Sequence, residues 1–365
     1  MKNRISFLLV IFLVGIFIIA GCATAPPASA PPSKQPTATT TEPAGDKVIA
    51  LKLGYHHPPQ SVLAKQVFTP WTQSIEKASN GKVKITHFAG ETLNKMKDEY
   101  DAVLLGLADI STFSAAVTPG RFPMCEIDLL PMIFPNAEIA ARVHHELLEK
   151  YCVSTELSKV KFLLDVSLPP MQLFTTKPIQ KLEDLKGLKM RVEGKVETWT
   201  MEALGATALQ LGMGELYSAL ERGLVEGVAM AYQGVLAYGF QQVTKYRTTC
   251  DLFTRNFPVV MNLETWNKLP PDIQKVFLEN SGSLTSASYG AVSDKIVAGA
   301  IQGIAAYDKK AGNPEFFKLS ADEKAKWQQA VSVVWDRWLD EMKTKGLPGQ
   351  AMIDDAKRLV KQYSK

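Results

Sequence analysis

Hydrophobic and polar positions divide the chain into three regimes. From Ile5 to Ala20 every position is apolar except Ser6 and Gly15. From Ala23 to Asp46 the chain is mostly Ala, Pro, Thr and Ser and holds no large apolar side chain. From Lys47 onward, short alternating segments trade places with stretches of helical period. The alternation of Val48 to Gly54 predicts a strand, broken by Tyr55-His56-His57-Pro58-Pro59. Val67, Trp71 and Ile75 share one face of a predicted helix from Ser61 to Ser79, bent at Pro70. Asn80-Gly81 turns the chain into a strand from Lys82 to Phe88. A second helix from Asn94 to Leu107 carries Met96, Tyr100, Val103, Leu104 and Leu107 as its apolar positions, and a strand from Asp109 to Phe113 completes a βαβαβ unit.

The alternation continues with a helix near Asn136 to Tyr151, a strand from Lys161 to Val166, and an extended segment from Gln172 to Thr176 beyond Pro169-Pro170. A second α/β unit follows, with strands at Leu188 to Val192 and Val228 to Ala231 and helices at Glu197 to Leu204 and Gly214 to Arg222. Helices then dominate from Pro271 to the end, above all Ser283 to Lys310 and Ala321 to Lys343. Two α/β domains joined this way leave a cleft at the carboxyl ends of parallel strands, where loops and helix N-termini converge on a ligand. Residues 47–168 with about 257–295 are assigned to the first domain, and 169–256 with about 296–365 to the second.

The apolar run is short for a membrane span and stops at small residues, so residues 1–21 read as a secretory signal peptide. Ile18-Ile19-Ala20-Gly21-Cys22 resembles a bacterial lipobox, which makes Cys22 the lipidated N-terminus of the mature chain. Residues 22–46 then form the lipidated Cys and a disordered tether, because nothing there offsets the entropy of ordering. The expected location is extracytoplasmic, held to a membrane through the lipid.

The formal net charge of +4 falls to +2 when Lys2 and Arg4 leave, so neither nucleic acid nor another polyanion is an expected partner. Cys125, Cys152 and Cys250 remain in the body with no CxxC spacing. Three buried thiols are expected, with one disulfide plus one thiol as the alternative.

No HExxH, GxSxG, P-loop or GxGxxG pattern occurs, and no cofactor is expected. Neighbouring histidines point about 100° apart on a helix, so neither His56-His57 nor His144-His145 makes a metal face. His144, His145 and Glu146 read as a solvated helix face. Glu183-Asp184 and Asp354-Asp355 read as surface carboxylates. No nucleophile, base or metal constellation assembles, so an enzyme is not expected.

Glu183-Asp184-Leu185-Lys186-Gly187-Leu188-Lys189-Met190-Arg191-Val192 is the most specific stretch. It resembles the DctP-type solute receptors of tripartite ATP-independent periplasmic (TRAP) transporters. Pro119-Gly120-Arg121-Phe122-Pro123, Leu204-Gly205-Ala206 and Glu215 to Gly227 fit the same family, and the match runs from about Val48 to Gly282. The resemblance implies two α/β domains of the periplasmic-binding-protein type with a ligand cleft between them, and hinge strands and long C-terminal helices packing across both. It implies an arginine, here Arg191, that grips a ligand carboxylate bidentately. It also implies a small organic acid as ligand and the membrane subunits of the transporter as partners. A guanidinium suits the task because its rigid fork matches a carboxylate and keeps its charge in a dry site.

Sialic-acid-binding members carry a further arginine where this chain has Met171. They have an asparagine at Met230 or its neighbour, and an aromatic residue at Met213. Members that recruit a metal place a carboxylate where this chain has Val228 and Ala229, so no metal is expected. His56, Phe113, Ser114, Met171, Arg191, Met213, Met230 and Tyr232 are the expected lining, with Trp199 as a further wall. Met and aromatic side chains favour an apolar or aromatic acid over a sugar acid. A sensory receptor presenting its closed form to a membrane signalling partner, and a secreted enzyme, are the alternative readings.

Overall fold

The alternating segment after Lys47 becomes strand β1 (Ile49–Tyr55), the start of the described region in a computed structural model that covers residues 48–365. The signal peptide, Cys22 and the tether lie outside the described residues. Helix α1 (Thr69–Ala78) buries Trp71 and Ile75, while Val67 is buried in the π turn Ala64–Phe68 just before it. The expected single bent helix is thus two pieces. Pro70 offers no N–H to continue the helical ladder and sits in the first turn of α1, where none is required. Asn80 and Gly81, both at positive φ (52° and 78°), then turn the chain into β2 (Val83–Ala89).

The next helix is shorter than its apolar pattern. A 3₁₀ turn at Met96–Asp98 leads into α2 (Glu99–Leu104), which stops before Gly106, at φ 69°. Leu107 therefore projects into solvent instead of the core. Strand β3 (Ile110–Thr112) follows, then α3 (Ala137–Leu147), β4 (Val160–Leu168) and β5 (Gln172–Thr175). The second α/β unit comprises β6 (Lys189–Val192), α4 (Lys195–Ala203), β7 (Thr207–Gln210), α5 (Met213–Glu221), β8 (Gly227–Met230), α6 (Tyr232–Tyr238) and β9 (Tyr246–Thr249). The chain returns through β10 (Arg255–Asn262), α7 (Leu263–Lys268) and α8 (Pro271–Glu279). It ends with α9 (Ser283–Ala311), the two-residue β11 (Phe317–Lys318), α10 (Ala321–Thr344) and α11 (Gly349–Tyr363).

Two sheets result, each the floor of one lobe. The first has the order β2-β1-β3-β10-β4 and the second β11-β9-β5-β8-β6-β7. β1 runs parallel to β2 and β3, whereas β10 enters antiparallel between β3 and β4. The chain crosses between lobes at β4 to β5 and again at β9 to β10. These two crossings bond to each other, Met171 N to Phe253 O at 2.7 Å and Leu252 N to Met171 O at 3.0 Å. α9 packs on α3 and β4 of the first lobe and on α6 of the second. Its Gly290 admits the backbone of α3, since a Cβ there would lie 2.4 Å from Ala137 O. α10 buries Trp327 and Trp338, and the Trp338 indole donates to Pro123 O at 3.0 Å. Among the described residues no helix is long and apolar enough to cross a membrane.

The histidines of α3 correct the expected solvated face. His144 and His145 are each 1% exposed, because α3 is covered by β4 on one side and α9 on the other. His144 Nδ1 lies 3.0 Å from Asp165 Oδ2 and its Nε2 3.0 Å from Cys125 O. His145 meets Ser286 at 3.2 Å and Glu149 at 3.3 Å. Burial disfavours charge on His144, but the carboxylates of Asp165 and Asp128 outweigh it and lift the imidazole to about 9. A pKa raised on folding stabilises fully below the unfolded value near 6.5, and that stabilisation is lost as pH climbs through about 9. Stability should therefore fall by ~2 kcal/mol between pH 7 and pH 9.5, read by urea denaturation, and His144→Gln should flatten this limb. An unchanged slope in the variant would assign the loss to another group.

Candidate functional site

Between the sheets lies a cavity of about 700 Å3, part of it open to solvent. The carboxyl ends of β1, β6 and β8 converge on it, followed by the loop at His56, the turn at Glu193 and the start of α6. β10 is antiparallel, so its first residues, Arg255 to Phe257, pair with the last residues of β4 at the same end. Of the expected lining, His56, Met171, Arg191, Met213 and Met230 face the cavity. Ala229, Leu168, Val62 and Phe257 extend the apolar wall, and Tyr238 and Gln233 approach from α6.

Four expected residues lie elsewhere. Phe113 is in the core of the first lobe, its ring 5.2 Å from Tyr100 and 4.8 Å from Phe122. Ser114 is buried just before the 3₁₀ turn at Ala115–Val117 and does not line the cavity. Tyr232 points away, bonding Thr249 at 2.6 Å and setting its ring against Phe174 and Phe316. Trp199 packs against the outer core with the Lys195 ammonium 5.8 Å from its ring. Tyr232 sits between the lining residues Ala231 and Gln233 with its side chain turned away, whereas Phe113, Ser114 and Trp199 have no near neighbour in the chain that lines the cavity.

Arg191 owes its place to β6, where side chains alternate between faces. It is 3% exposed. Its Nε donates to Leu211 O at 3.0 Å, and its Nη2 lies 2.6 Å from Glu193 Oε1. Glu193 also pairs with Arg255, which pairs in turn with Glu197 of α4. The Glu197 carboxylate accepts from Glu193 N at 2.8 Å. Two guanidiniums and two carboxylates thus form one buried network in which Arg191, Glu193 and Arg255 face the cavity. Gly194 lets this corner approach the first lobe, since a Cβ there would lie 2.3 Å from Ala116 O.

Burial weakens three of these charges. It lowers Arg191 to about 10 and Arg255 to about 9, both still cationic at neutral pH, and raises Glu197 to about 7. His57 is held well below its ordinary value by burial, then by His56 and Arg255, so it stands neutral beside the cavity. His56 Nδ1 is 2.9 Å from Glu99, whose carboxyl burial pushes up. His56 and Phe257 lie 5.1 Å apart, ring to ring, as an aromatic floor.

Reasoning from sequence missed Glu193, Arg255, His57, Tyr238 and Phe257. Glu193 lies two positions past Arg191, just beyond the end of β6, and it is the bend there that brings its carboxylate to the guanidinium. Arg255 had no signal, because its position depends on where β10 inserts. Cys125, Cys152 and Cys250 are free, buried thiols. Cys125, Cys152 and Glu156 form the one group among the described residues close enough to share a metal. The Glu156 carboxylate is already engaged by Met124 N at 2.9 Å and Cys125 N at 3.2 Å, and none of the three lines the cavity.

Two α/β lobes joined by crossing strands, with a buried guanidinium at the carboxyl ends of parallel strands, define a cleft-type solute receptor. The profile of the bacterial extracellular solute-binding protein family 7, DctP, matches residues 53–341. The chain belongs to this family of extracytoplasmic receptors that serve TRAP transporters. It is similar to the C4-dicarboxylate-binding periplasmic protein DctP of Rhodobacter capsulatus, 27% identical over 305 residues, covering 82% of this chain and 89% of that one. Among solved structures it resembles a TRAP solute-binding protein from Rhodoferax ferrireducens in complex with copurified benzoate. That likeness has a TM-score of 0.82 and 26% identity, over 87% of this chain and 99% of the other. A marine metagenome TRAP protein specific for aromatic acid ligands, from an unidentified microbe and solved with 3-hydroxybenzoate, gives 0.82 and 26% over 87% and 100%.

Proposed function

We propose that this chain is a receptor for an aromatic or otherwise apolar monocarboxylic acid, which it delivers to the membrane subunits of a TRAP transporter. The observation that carries this reading is a deeply buried arginine, Arg191, with a terminal nitrogen toward a cavity whose apolar wall is built from Met171, Met213, Met230, Ala229 and Phe257. The carboxylate pairs with Arg191 while the apolar body lies along the methionines, whose flexible thioethers adapt to ring shape. The lobes close because ligand touches both at once, and closure is favoured only by contacts absent from the open state. The benzoate and 3-hydroxybenzoate bound by two structural relatives support the class of ligand. The chain acts by binding and release, and Cys22 carries the lipid that holds it at the membrane.

Thermal shift across a carboxylate library, followed by calorimetry, tests this reading. Ligand at a hundredfold excess over Kd stabilises the folded state by about 2.7 kcal/mol. Aromatic monocarboxylates should raise the melting temperature and sugar acids should not; the opposite ranking sinks the assignment. Mass spectrometry of the membrane fraction should find acyl chains on Cys22, and an unmodified mature N-terminus would remove the anchor.

A further inference from the structure

Arg191 is not waiting empty for a ligand. A guanidinium binds a carboxylate bidentately along one of its edges, each using two N–H groups. One edge includes Nε, which Leu211 O has already taken at 3.0 Å. The remaining edge uses both terminal nitrogens, and Nη2 lies 2.6 Å from Glu193 Oε1. A ligand carboxylate arriving there meets a second carboxylate head-on, in a site where burial magnifies like-charge repulsion. Glu193 lines the cavity beside Arg191, so the two anions compete for one place.

We infer that Glu193 is a resident carboxylate that occupies the ligand's position on Arg191 and sets both the affinity and the charge of the acid the receptor accepts. This rests on the reading of Arg191 as the ligand's partner. Ligand entry is an exchange in which the incoming carboxylate takes the fork of Arg191 and Glu193 withdraws onto Arg255, which already holds it from the other side. The exchange adds one negative charge to a network of two cations and two anions. Arg255 already gives both terminal nitrogens to Glu193 and Glu197, and only its buried Nε is without a partner. The other ammonium groups nearby, Lys95 and Lys97, line the wider outer groove and not the inner cavity. Among the described residues a second carboxylate on the ligand would find no cation inside whose terminal fork is unengaged, so the cavity selects a monoanion.

The test is calorimetric titration of benzoate into wild type, Glu193→Gln and Arg191→Ala, each first shown folded by a cooperative melt. Glu193→Gln keeps the side-chain shape and removes the competing charge, so benzoate should bind ~10-fold tighter than to wild type. Benzene-1,3-dicarboxylate and its monoamide, alike in shape, provide a second readout. Wild type should favour the monoamide, and Glu193→Gln should narrow that preference by ~10-fold. Unchanged or weaker benzoate binding in Glu193→Gln, with binding lost in Arg191→Ala, overturns the role of Glu193 alone. Benzoate bound equally by Arg191→Ala and wild type overturns the underlying reading instead. Should Glu193→Gln fail to fold, Glu193→Ala takes its place; if neither folds, Glu193 is a structural counter-ion and the inference is wrong.

Discussion

Arg191→Ala should abolish measurable binding of an aromatic carboxylate, weakening it roughly 100-fold or more in calorimetry while the protein still melts cooperatively. Removing one partner of a desolvated, charge-paired contact costs about 2–5 kcal/mol, and every 1.4 kcal/mol is tenfold in Kd. Arg255 cannot offer a ligand the same fork, because its terminal nitrogens are committed to Glu193 and Glu197. Arg191→Lys should recover only a small part of the loss. A lysine at the end of β6 keeps the charge but offers neither the planar fork nor a donor that holds Leu211 O at the same time. If the lysine variant binds as wild type does, the contact is a point charge and the bidentate geometry is incidental.

The second large effect is on stability. Arg255 is 6% exposed and is shared by two carboxylates, so Arg255→Met leaves Glu193 leaning on Arg191 alone and Glu197 without its partner. Breaking a buried pair in this way costs about 3–5 kcal/mol. The deficit should depend on pH, and its sign follows from Glu197. Burial already raises its carboxyl to about 7 in the intact network, and losing Arg255 raises it further. A carboxyl raised on folding favours the folded state at low pH and opposes it as pH climbs through the folded pKa. Urea midpoints at pH 5 and pH 8 should therefore show a smaller gap between variant and wild type at pH 5. A gap that widens at pH 5 would mean that Arg255 acts through packing rather than charge.

Much of the first-order architecture was legible because it is local. Period and punctuation sufficed for β6, α9 and α10, and a Gly-terminated turn feeding a four-residue strand placed Arg191 at a strand end, while its role as the carboxylate grip came from the resemblance of that stretch to the receptor family. What was hidden depends on contacts distant in sequence. His144 and His145 look like surface because their burial comes from other elements, β4 with Asp165 against His144 and α9, more than a hundred residues later, with Ser286 against His145. Phe113 and Trp199 were expected at the mouth because they follow β3 and β6 in the chain, yet their side chains pack into the core instead; Tyr232, between the lining residues Ala231 and Gln233, turns to Phe174 and Phe316. Arg255 became visible only once β10 had a place in the first sheet. Met171, Met213 and Met230, by contrast, were legible as departures from the arginine, aromatic and asparagine positions of sialic-acid-binding members, and all three line the cavity.

The insertion of β10 between β3 and β4 also bears on the order in which the chain folds. β3 has no partner on that side until Val259 to Met261 arrive, and β4 has none there until Arg255 to Asn262 do. The whole of the second lobe's sheet except β11 is synthesised in between. An emerging chain of ~250 residues therefore holds a first sheet with its middle missing, and pairing across such sequence separations is slow. The first sheet therefore closes only after most of the second lobe exists, which couples the folding of the two lobes.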